Sequence, residues 1–541
     1  MSHVRVLSLA LAALLISAPS LGAQLPSAER ATDSGTPAWM TAWSPLQPIA
    51  DHPRQLPRAP ALPDLLVAPG PRIGTFWTVG NPAALPFQVT RSWSELQTGL
   101  AWDDGGYGRP MDGGDVDALQ FAGLGWKPLG RGAAVGRLLV DQETLGRLPF
   151  AGAIEPHATS PLVFADSSVV RMRRLRARLE GAFGWRFAGW GVGLAAGVEV
   201  RDHETQEARF QRDGRMSTHG VAVGLLRELP FAGLRLAAHA RLSGGDETMN
   251  VVPWPESGLI YQLEGYGEPA RRRVELPWSY MRRAERGAWL WGLSAEGTLL
   301  GADWSVVWEH VNRDDEHFTG RFGEQPPDRW SASGWAVGGA LQRSFSAGHL
   351  LLTGQARYSH LEGDAFRSDL EGAIFRGAES LFWGTADLRY TVPGTPWSVA
   401  AVFTLQRDSR WRRDYLVRVR SMIESWTPGG GLEVARSYGN STAVSFGFAF
   451  ASYSATALIP NPESMGPVYR LLIAPELSLY ATQSRPAVAS FGLRQRLGEG
   501  TRLLLRARWE TAAPRGESTE SFAPRGHRTL WNVSLALLLG Q

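Results

Sequence analysis

The chain of 541 residues contains no cysteine. This absence excludes a disulfide framework and the cysteine-linked lipid anchor of a lipoprotein. Lysine is almost as scarce, because Lys127 is the single lysine among 55 basic residues. The other basic residues are arginines, and 52 acidic residues leave a net charge of only +3. A nucleic-acid-binding domain would carry its basic residues as a stripe on one face, so we expect no nucleic acid among the partners.

Long apolar runs are also missing. An α-helix needs about 20 apolar residues to cross a bilayer, and the apolar run at 6–18 is too short. This run follows a basic start and precedes small residues, which is the pattern of a secretory signal peptide over residues 1–23. An exported chain without a membrane helix crosses a membrane only as a closed β-barrel. We therefore expect the bacterial outer membrane as its location.

What the sequence has in place of apolar runs is alternation. From residue 88 to the C-terminus, segment after segment places an apolar residue at every second position. Successive side chains of a strand point to opposite faces, so one face suits lipid and the other suits water. The clearest case is Arg174-Leu175-Arg176-Ala177-Arg178-Leu179. Mean hydropathy is slightly negative, −0.17, because only half of each strand needs to meet lipid.

The connections between these segments alternate in length. Short ones lie at 187–190, 228–233, 301–303, 345–348 and 393–396, and the others span roughly 15 to 40 residues, as periplasmic turns and extracellular loops do. A soluble β-sandwich is the alternative, but its turns recur at more even spacing. Aromatic residues fall beside the short turns, where an interfacial girdle should lie; they are Trp185, Trp190, Phe231, Trp304, Phe345 and Trp397.

The fold class that follows is all-β, a transmembrane antiparallel up-and-down β-barrel of about 18 strands, within a range of 16 to 20. Segments 415–425 and 468–482 are the two candidates that would raise the number to 20. The domain organisation is a signal peptide (1–23), a Pro-rich periplasmic segment or small plug inserted into the lumen (24–87), and the barrel (88–541). Residues 24–87 are too few for the folded plug of an energised TonB-dependent receptor.

Arginine dominates the polar phase of many strands. Rings of arginine in a water-filled pore favour anions, whereas cross-strand salt bridges would instead fill a closed lumen. We leave both possibilities open. The candidate lumen-lining residues are Arg174, Arg176, Arg178, Arg235, Arg241, Arg357, Arg389, Arg506 and Arg508.

Two other patterns were considered for chemistry. Ser217 and His219 share one face of a strand, so their side chains could lie close enough for the hydrogen bond that a catalytic Ser–His pair needs. No Asn or Asp that would orient the histidine is identifiable. The run from Glu309 to His317 collects carboxylates and imidazoles at the start of a predicted loop, where solvation is the commoner role. We predict no catalytic residue, no metal site and no cofactor, and we expect that the protein is not an enzyme.

Two short stretches resemble known outer-membrane proteins. Residues 530–539 resemble the terminal strand that the barrel-assembly machinery recognises, although the chain ends in Gly540-Gln541 rather than in an aromatic residue. The stretch Asn81-Pro82-Ala83-Ala84-Leu85 resembles one in long-chain fatty-acid transporter-like barrels. The layout as a whole resembles bacterial outer-membrane β-barrels of an uncharacterised family.

These observations predict a porin-like channel or a transporter of a small solute or hydrophobic substrate. The competing hypothesis is a non-conducting barrel with a structural, secretion-associated or envelope-assembly role. The region 244–286 would be an extracellular loop domain that selects the solute. Expected partners are outer-membrane lipid and lipopolysaccharide, the barrel-assembly machinery during biogenesis, and a small-molecule solute.

Overall fold

The computed structural model describes residues 58–62, 65–66, 80–108, 114–149, 162–166, 169–207, 210–230, 233–253, 258–264, 270–274, 280–320, 327–345, 349–460, 469–515 and 526–540. The predicted signal peptide lies outside these residues. Within them, no helix combines the length and apolar character needed to cross a membrane.

Antiparallel strands make up nearly all of the regular structure. Their bounds are β1 Trp93–Gly105, β2 Asp115–Leu129, β3 Gly132–Pro149, β4 Leu162–Asp166, β5 Val169–Phe187, β6 Trp190–Glu207, β7 Phe210–Glu228, β8 Arg235–Pro253, β9 Gly258–Glu264, β10 Ala270–Val274, β11 Tyr280–Leu299, β12 Ala302–Gly320, β13 Asp328–Phe345, β14 Leu350–Arg367, β15 Gly372–Thr391, β16 Trp397–Asp414, β17 Val419–Tyr438, β18 Thr442–Ala451, β19 Ser454–Leu458, β20 Ala487–Gly498, β21 Thr501–Ala512 and β22 Arg528–Gly540. The helices are α1 (Leu85–Gln88), directly after a 3₁₀ turn at Pro82–Ala84, and α2 (Ala474–Ala481), directly after a π-helical turn at Tyr469–Ile473.

The sheet closes on itself. Apart from β4, β9, β10 and β19, each strand pairs with the next barrel strand along the chain, and β1 also pairs with β22 from Trp93↔Gly540 to Gly105↔Arg528. β18 and β19 both pair with β17 and act as one interrupted strand, so the barrel has 18 strands, as predicted. β4, β9 and β10 form a separate three-stranded sheet between the long connections.

Strands and loops differ from the sequence prediction mainly at the long-loop end. Residues 419–425 belong to β17, and 469–481 form a π-helical turn and α2, so neither candidate adds a strand to the barrel. β12 continues to Gly320, so the run from Glu309 to His317 lies in a strand instead of a loop. The predicted loop domain at 244–286 is partly wall, because β8 continues to Pro253 and β11 begins at Tyr280.

The outer surface carries a continuous apolar belt. On β5, Leu175, Leu179, Phe183, Trp185 and Phe187 are all exposed. At about 3.3 Å per residue and a tilt of about 40°, the stretch from Leu175 to Phe187 spans about 30 Å along the membrane normal. That length matches the hydrocarbon core of a bilayer. A closed barrel with this belt is built to sit in a membrane.

Leu179 lies near the middle of the belt and is 57% exposed. Leu179→Arg should therefore lower the free energy of unfolding in lipid by about 2–4 kcal/mol, because it places a charge near the bilayer midplane. Urea unfolding in lipid vesicles, followed by tryptophan fluorescence, measures this loss. Leu300→Arg is the matched control, since Leu300 lies in the turn between β11 and β12 and is 82% exposed. Equal losses in both variants would contradict the assignment of β5 to the membrane.

Candidate functional site: the barrel lumen

The nine arginines predicted to line the lumen all point inwards. They occupy the strand phase opposite the exposed apolar residues; Arg389, for example, lies between the outward-facing Leu388 and Tyr390. Most of them form ion pairs, which are Arg174–Glu143, Arg176–Glu199, Arg178–Glu199, Arg235–Glu296, Arg357–Glu309, Arg506–Glu95 and Arg508–Glu510. Arg241 is buried beside Glu309. Arg389 is half-buried next to Asp387.

Glu199 is the centre of one buried network. Its carboxylate accepts hydrogen bonds from Arg176 at 3.2 Å, Arg178 at 3.5 Å and Arg201 at 2.5 Å. Arg178 also donates to Glu180 at 2.9 Å. These side chains project from β5 and β6 and are largely shielded from solvent. Charges in such surroundings are tolerated only when each is paired, so the network fixes this part of the lumen in one arrangement.

A second network ties β8, β11, β12 and β14 together. Glu309 is bonded to His239 at 3.0 Å and accepts from Arg357 at 2.6 Å. Lower in the lumen, Glu296 accepts from Arg235 at 3.1 Å and from Gln88 at 2.8 Å. Gln88 belongs to the N-terminal segment, so the wall is also bonded to chain that lies inside it.

Residues 81–88 lie inside the lumen against β3 and β5–β8. Asn81 is fully buried, accepts from the Ala83 backbone N–H at 3.0 Å, and donates to the Ala238 carbonyl at 3.3 Å. Glycines of the wall make this approach possible. A Cβ on Gly191 would lie 2.5 Å from the Ala83 carbonyl oxygen, and one on Gly193 would lie 2.5 Å from the Ala83 nitrogen. No side chain fits between wall and segment at these points.

The residues that precede this segment in the chain, 58–62 and 65–66, lie against the opposite wall, where they contact β17 and β20. The Leu65 N–H donates to Glu433 at 3.3 Å, and Arg494 donates to the Leu66 carbonyl at 2.7 Å. Glycine again provides the space, because a Cβ on Gly492 would lie 2.5 Å from Leu66 Cδ1. The described residues of the predicted segment 24–87 thus occupy the lumen from two sides.

Helix α2 closes the lumen near the long-loop end. Together with the preceding turn it packs with lumen-facing Trp330, Leu361, Phe375 and Ile423 in one apolar cluster. The Tyr453 hydroxyl donates to the Tyr480 carbonyl, and the Arg410 guanidinium lies 5.4 Å from the Tyr480 ring centre. Leu479 contacts Tyr107, whose phenol has its pKa raised by burial. The helix is held by the wall on several sides.

One part of the lumen wall remains open to solvent. On β14–β16 the inward-facing Gln355, Trp383, Thr385 and Thr404 are half-buried, and Gln406 is exposed. Gln355 pairs with Thr385, which pairs with Thr404, so these polar side chains form a row across three strands. The lumen faces of β1 and β2, by contrast, are buried almost throughout. We call this surface the open strip; its residues are Gln355, Trp383, Thr385, Thr404 and Gln406.

The wall treats the two patterns considered for chemistry differently, because the first lies on one face and the second is divided between both faces. Ser217 and His219 share the outward phase of β7, and Ser217 donates to Asp246 at 2.6 Å. In β12, Glu309, Arg313, Asp315 and His317 are buried on the inner side. His310, Asn312, Asp314 and Glu316 lie on the outward phase. Within the part of the chain that the structure describes, no group of three or more His, Cys, Asp or Glu residues is arranged to hold a metal ion.

Sequence reasoning missed the open strip and helix α2. The inner face of β15 reads Leu381, Trp383, Thr385, Asp387, Arg389, a mixture that does not mark a solvent path. The sequence indicates a candidate strand at 468–482, whereas the structure has a π-helical turn and α2 there. Pro475 at the start of α2 is a helix-start signal that could have indicated it.

The closed wall, apolar belt and polar interior define an outer-membrane β-barrel that holds segments of its own chain in the lumen. The chain belongs to the Family of unknown function (DUF6850), whose model matches residues 82–539. No curated protein matches the sequence.

Several solved structures show a loose overall likeness. The ferric citrate transporter FecA in its unliganded form has 7% identity and a TM-score of 0.41, covering 82% of this chain and 78% of FecA. The siderophore receptor PiuA from Acinetobacter baumannii has 9% identity and a TM-score of 0.39, with 83% and 82% covered. OccAB2 from Acinetobacter baumannii has 9% identity and a TM-score of 0.33, with 82% and 97% covered. At these values the likeness says nothing about a substrate.

Glu199→Gln should destabilise the barrel strongly, because it leaves Arg176, Arg178 and Arg201 around a neutral amide. Removing one partner from a buried ion pair costs about 3–5 kcal/mol. Urea unfolding in lipid vesicles measures the loss. The control is Glu285→Gln, since Glu285 pairs with Arg283 at the exposed outer surface and such pairs contribute about 0–1 kcal/mol. Similar losses in both variants would show that the buried network does not stabilise the lumen.

Gly193→Ala should displace residues 81–88 while leaving the wall intact, because the new methyl group would collide with the Pro82 carbonyl carbon and would lie 2.5 Å from the Ala83 nitrogen. Limited proteolysis of the folded protein in detergent would then cleave this segment faster than in the unmodified chain. Gly181→Ala is the control on β5, where a Cβ would lie 3.8 Å from the Val135 carbonyl oxygen, an ordinary contact distance. Unchanged protection in Gly193→Ala would contradict the tight seat described for the segment.

Proposed function

We propose that the protein is an outer-membrane channel or transporter for a small polar solute, and that the solute passes along the open strip. The observation that carries this proposal is the row of solvent-accessible polar side chains on the inner face of β14–β16. Gln355, Thr385, Thr404 and Gln406 offer hydrogen-bond donors and acceptors, and Trp383 adds an aromatic surface. A mixture of an apolar ring and a few polar groups is typical of small-molecule sites.

Passage would require movement at the long-loop end, where helix α2 lies over the strip. The helix contacts β17 and β19 and is joined to the strip through the Arg410–Tyr480 contact. Its neighbours are mostly apolar side chains. A shift of α2 would open the strip to the outside without breaking the Glu199 network on β5 and β6, so α2 is the gate in this proposal.

The second candidate is a non-conducting barrel with a structural, secretion-associated or envelope-assembly role. The specific observation in its favour is the combination of buried ion pairs and inserted N-terminal residues, which fills much of an interior that would otherwise hold water. In this case the open strip would be only a closed, hydrated pocket. In both candidates the protein is not an enzyme and uses no cofactor.

Conductance through single-cysteine variants separates the two candidates. The chain has no native cysteine, so Gln406→Cys introduces one thiol that faces the open strip. If the strip conducts, a charged thiol reagent should reduce the current of this variant in a planar bilayer. Leu405→Cys is the matched control, because the neighbouring side chain faces lipid. Absence of current from the unmodified chain, or equal block of both variants, would reject the strip as the path.

A further inference from the structure

Three arginines stand directly opposite one another on the outer surface near the long-loop end. Arg376 of β15 pairs in register with Arg413 of β16, and Arg413 pairs with Arg420 of β17. All three side chains are exposed. Opposite residues of neighbouring strands have Cβ atoms about 5 Å apart, and like charges at that distance destabilise a sheet. Such a row calls for a compensating anion.

The chain supplies little of that compensation. Arg376 pairs with Glu362 at 2.7 Å and lies 3.7 Å from Asp364. Arg413 and Arg420, in contrast, form no ion pair with any residue that the structure describes. Their guanidinium groups lie over aromatic rings, Arg413 over Tyr415 at 5.2 Å and Arg420 over Trp411 at 5.8 Å. Two of the three positive charges therefore remain available to an external anion.

A fourth arginine lies nearer the membrane on the same face. Arg407 is directly above the belt residues Phe403 and Leu405, over the Trp426 ring at 5.0 Å. Glu424 is 3.8 Å away. Arg407 thus marks the boundary of the hydrocarbon core, and the row at Arg413 lies about 15 Å further out, at about 2.5 Å per residue of tilted strand. We call these four residues, Arg376, Arg407, Arg413 and Arg420, the arginine patch.

Long loops of an outer-membrane barrel face the cell exterior, so the arginine patch meets the outer leaflet. The lipid of that leaflet is lipopolysaccharide, which carries phosphates at the hydrocarbon boundary and further phosphates and carboxylates in its inner sugars. Guanidinium groups bind phosphate bidentately. We propose that the arginine patch is a docking site for lipopolysaccharide, with Arg407 binding the lipid A phosphate and the outer row binding the inner sugars.

The part of the wall on the other side of β14 provides an internal comparison. On the outer surface of β11–β13 at the same end, Arg283 pairs with Glu285 at 2.6 Å and Arg329 pairs with Glu316 at 2.9 Å. Each exposed arginine there has its own carboxylate on the chain. The proposed site is therefore a local feature of β15–β17, and it does not depend on whether the lumen conducts.

The test uses the full chain in detergent and Kdo₂-lipid A as the probe, with its dephosphorylated form as a second ligand. Arg413→Gln/Arg420→Gln should weaken binding of the phosphorylated lipid by about tenfold for each charge removed. Arg283→Gln/Arg329→Gln is the matched control and should bind it as the unmodified chain does. The dephosphorylated lipid keeps the Kdo carboxylates but lacks the phosphates that Arg407 would bind, so it should bind the unmodified chain and the control more weakly than the phosphorylated lipid does. Native mass spectrometry and the lipid-induced rise in melting temperature both measure this binding.

The melting temperature of the variants without lipid is a second, independent test of the proposal. In lipid-free detergent, Arg413→Gln/Arg420→Gln should melt at the same or a higher temperature, because repulsion across β16 and β17 is removed. A purely structural role for these arginines predicts a lower melting temperature instead. Heat-modifiable gel mobility verifies folding, and Arg420→Gln alone serves if the double variant does not fold. Equal affinity of patch and control variants, or equal binding of both lipid forms, would overturn the proposal.

Discussion

The hydrogen-bonded closure of β1 on β22 is the constraint on which the rest of this structure depends. Within a bilayer, a backbone N–H or C=O without a partner costs several kcal/mol, so an open sheet edge is not tolerated. Closure gives every strand two neighbours and divides all wall side chains into an outward and an inward set. The apolar belt and the polar lumen are consequences of that division.

Closing 18 strands creates an interior that wall side chains alone do not fill. Barrels of 16–18 strands generally leave an aqueous channel, yet here the N-terminal residues and α2 enter the lumen from different ends. The wall is adapted to them, since Gly191, Gly193 and Gly492 stand where segment atoms would collide with any side chain. Solvent reaches the strip on β14–β16, where neither filling segment covers the wall completely.

The sequence predicted the barrel well because a membrane wall imposes a strict period of two. The alternation around Leu175 and Leu179 located the outward face, and the short connections gave the strand number. The same rule explains the errors at the long-loop end. Beyond the bilayer the outward face no longer needs to be apolar, so β8 and β12 continue as strands without an alternating signal. Helix α2 was missed because its stability comes from tertiary contacts with Phe375 and Ile423.

The alternation of apolar and polar residues does not predict whether a given arginine has a carboxylate beside it that neutralises its charge. Arg176 and Arg178 meet Glu199 only because strand register brings β5 and β6 together, and register was not predictable from the strands singly. With carboxylates beside them, such arginines add little net positive charge to the lumen, which weakens the idea of an anion-selective arginine ring. Arg413 and Arg420 show the reverse case, since register places like charges opposite each other. Arginine therefore stabilises the wall where the strand register places a carboxylate beside it. Where the register places no carboxylate, the guanidinium group remains able to bind an anion from outside the chain.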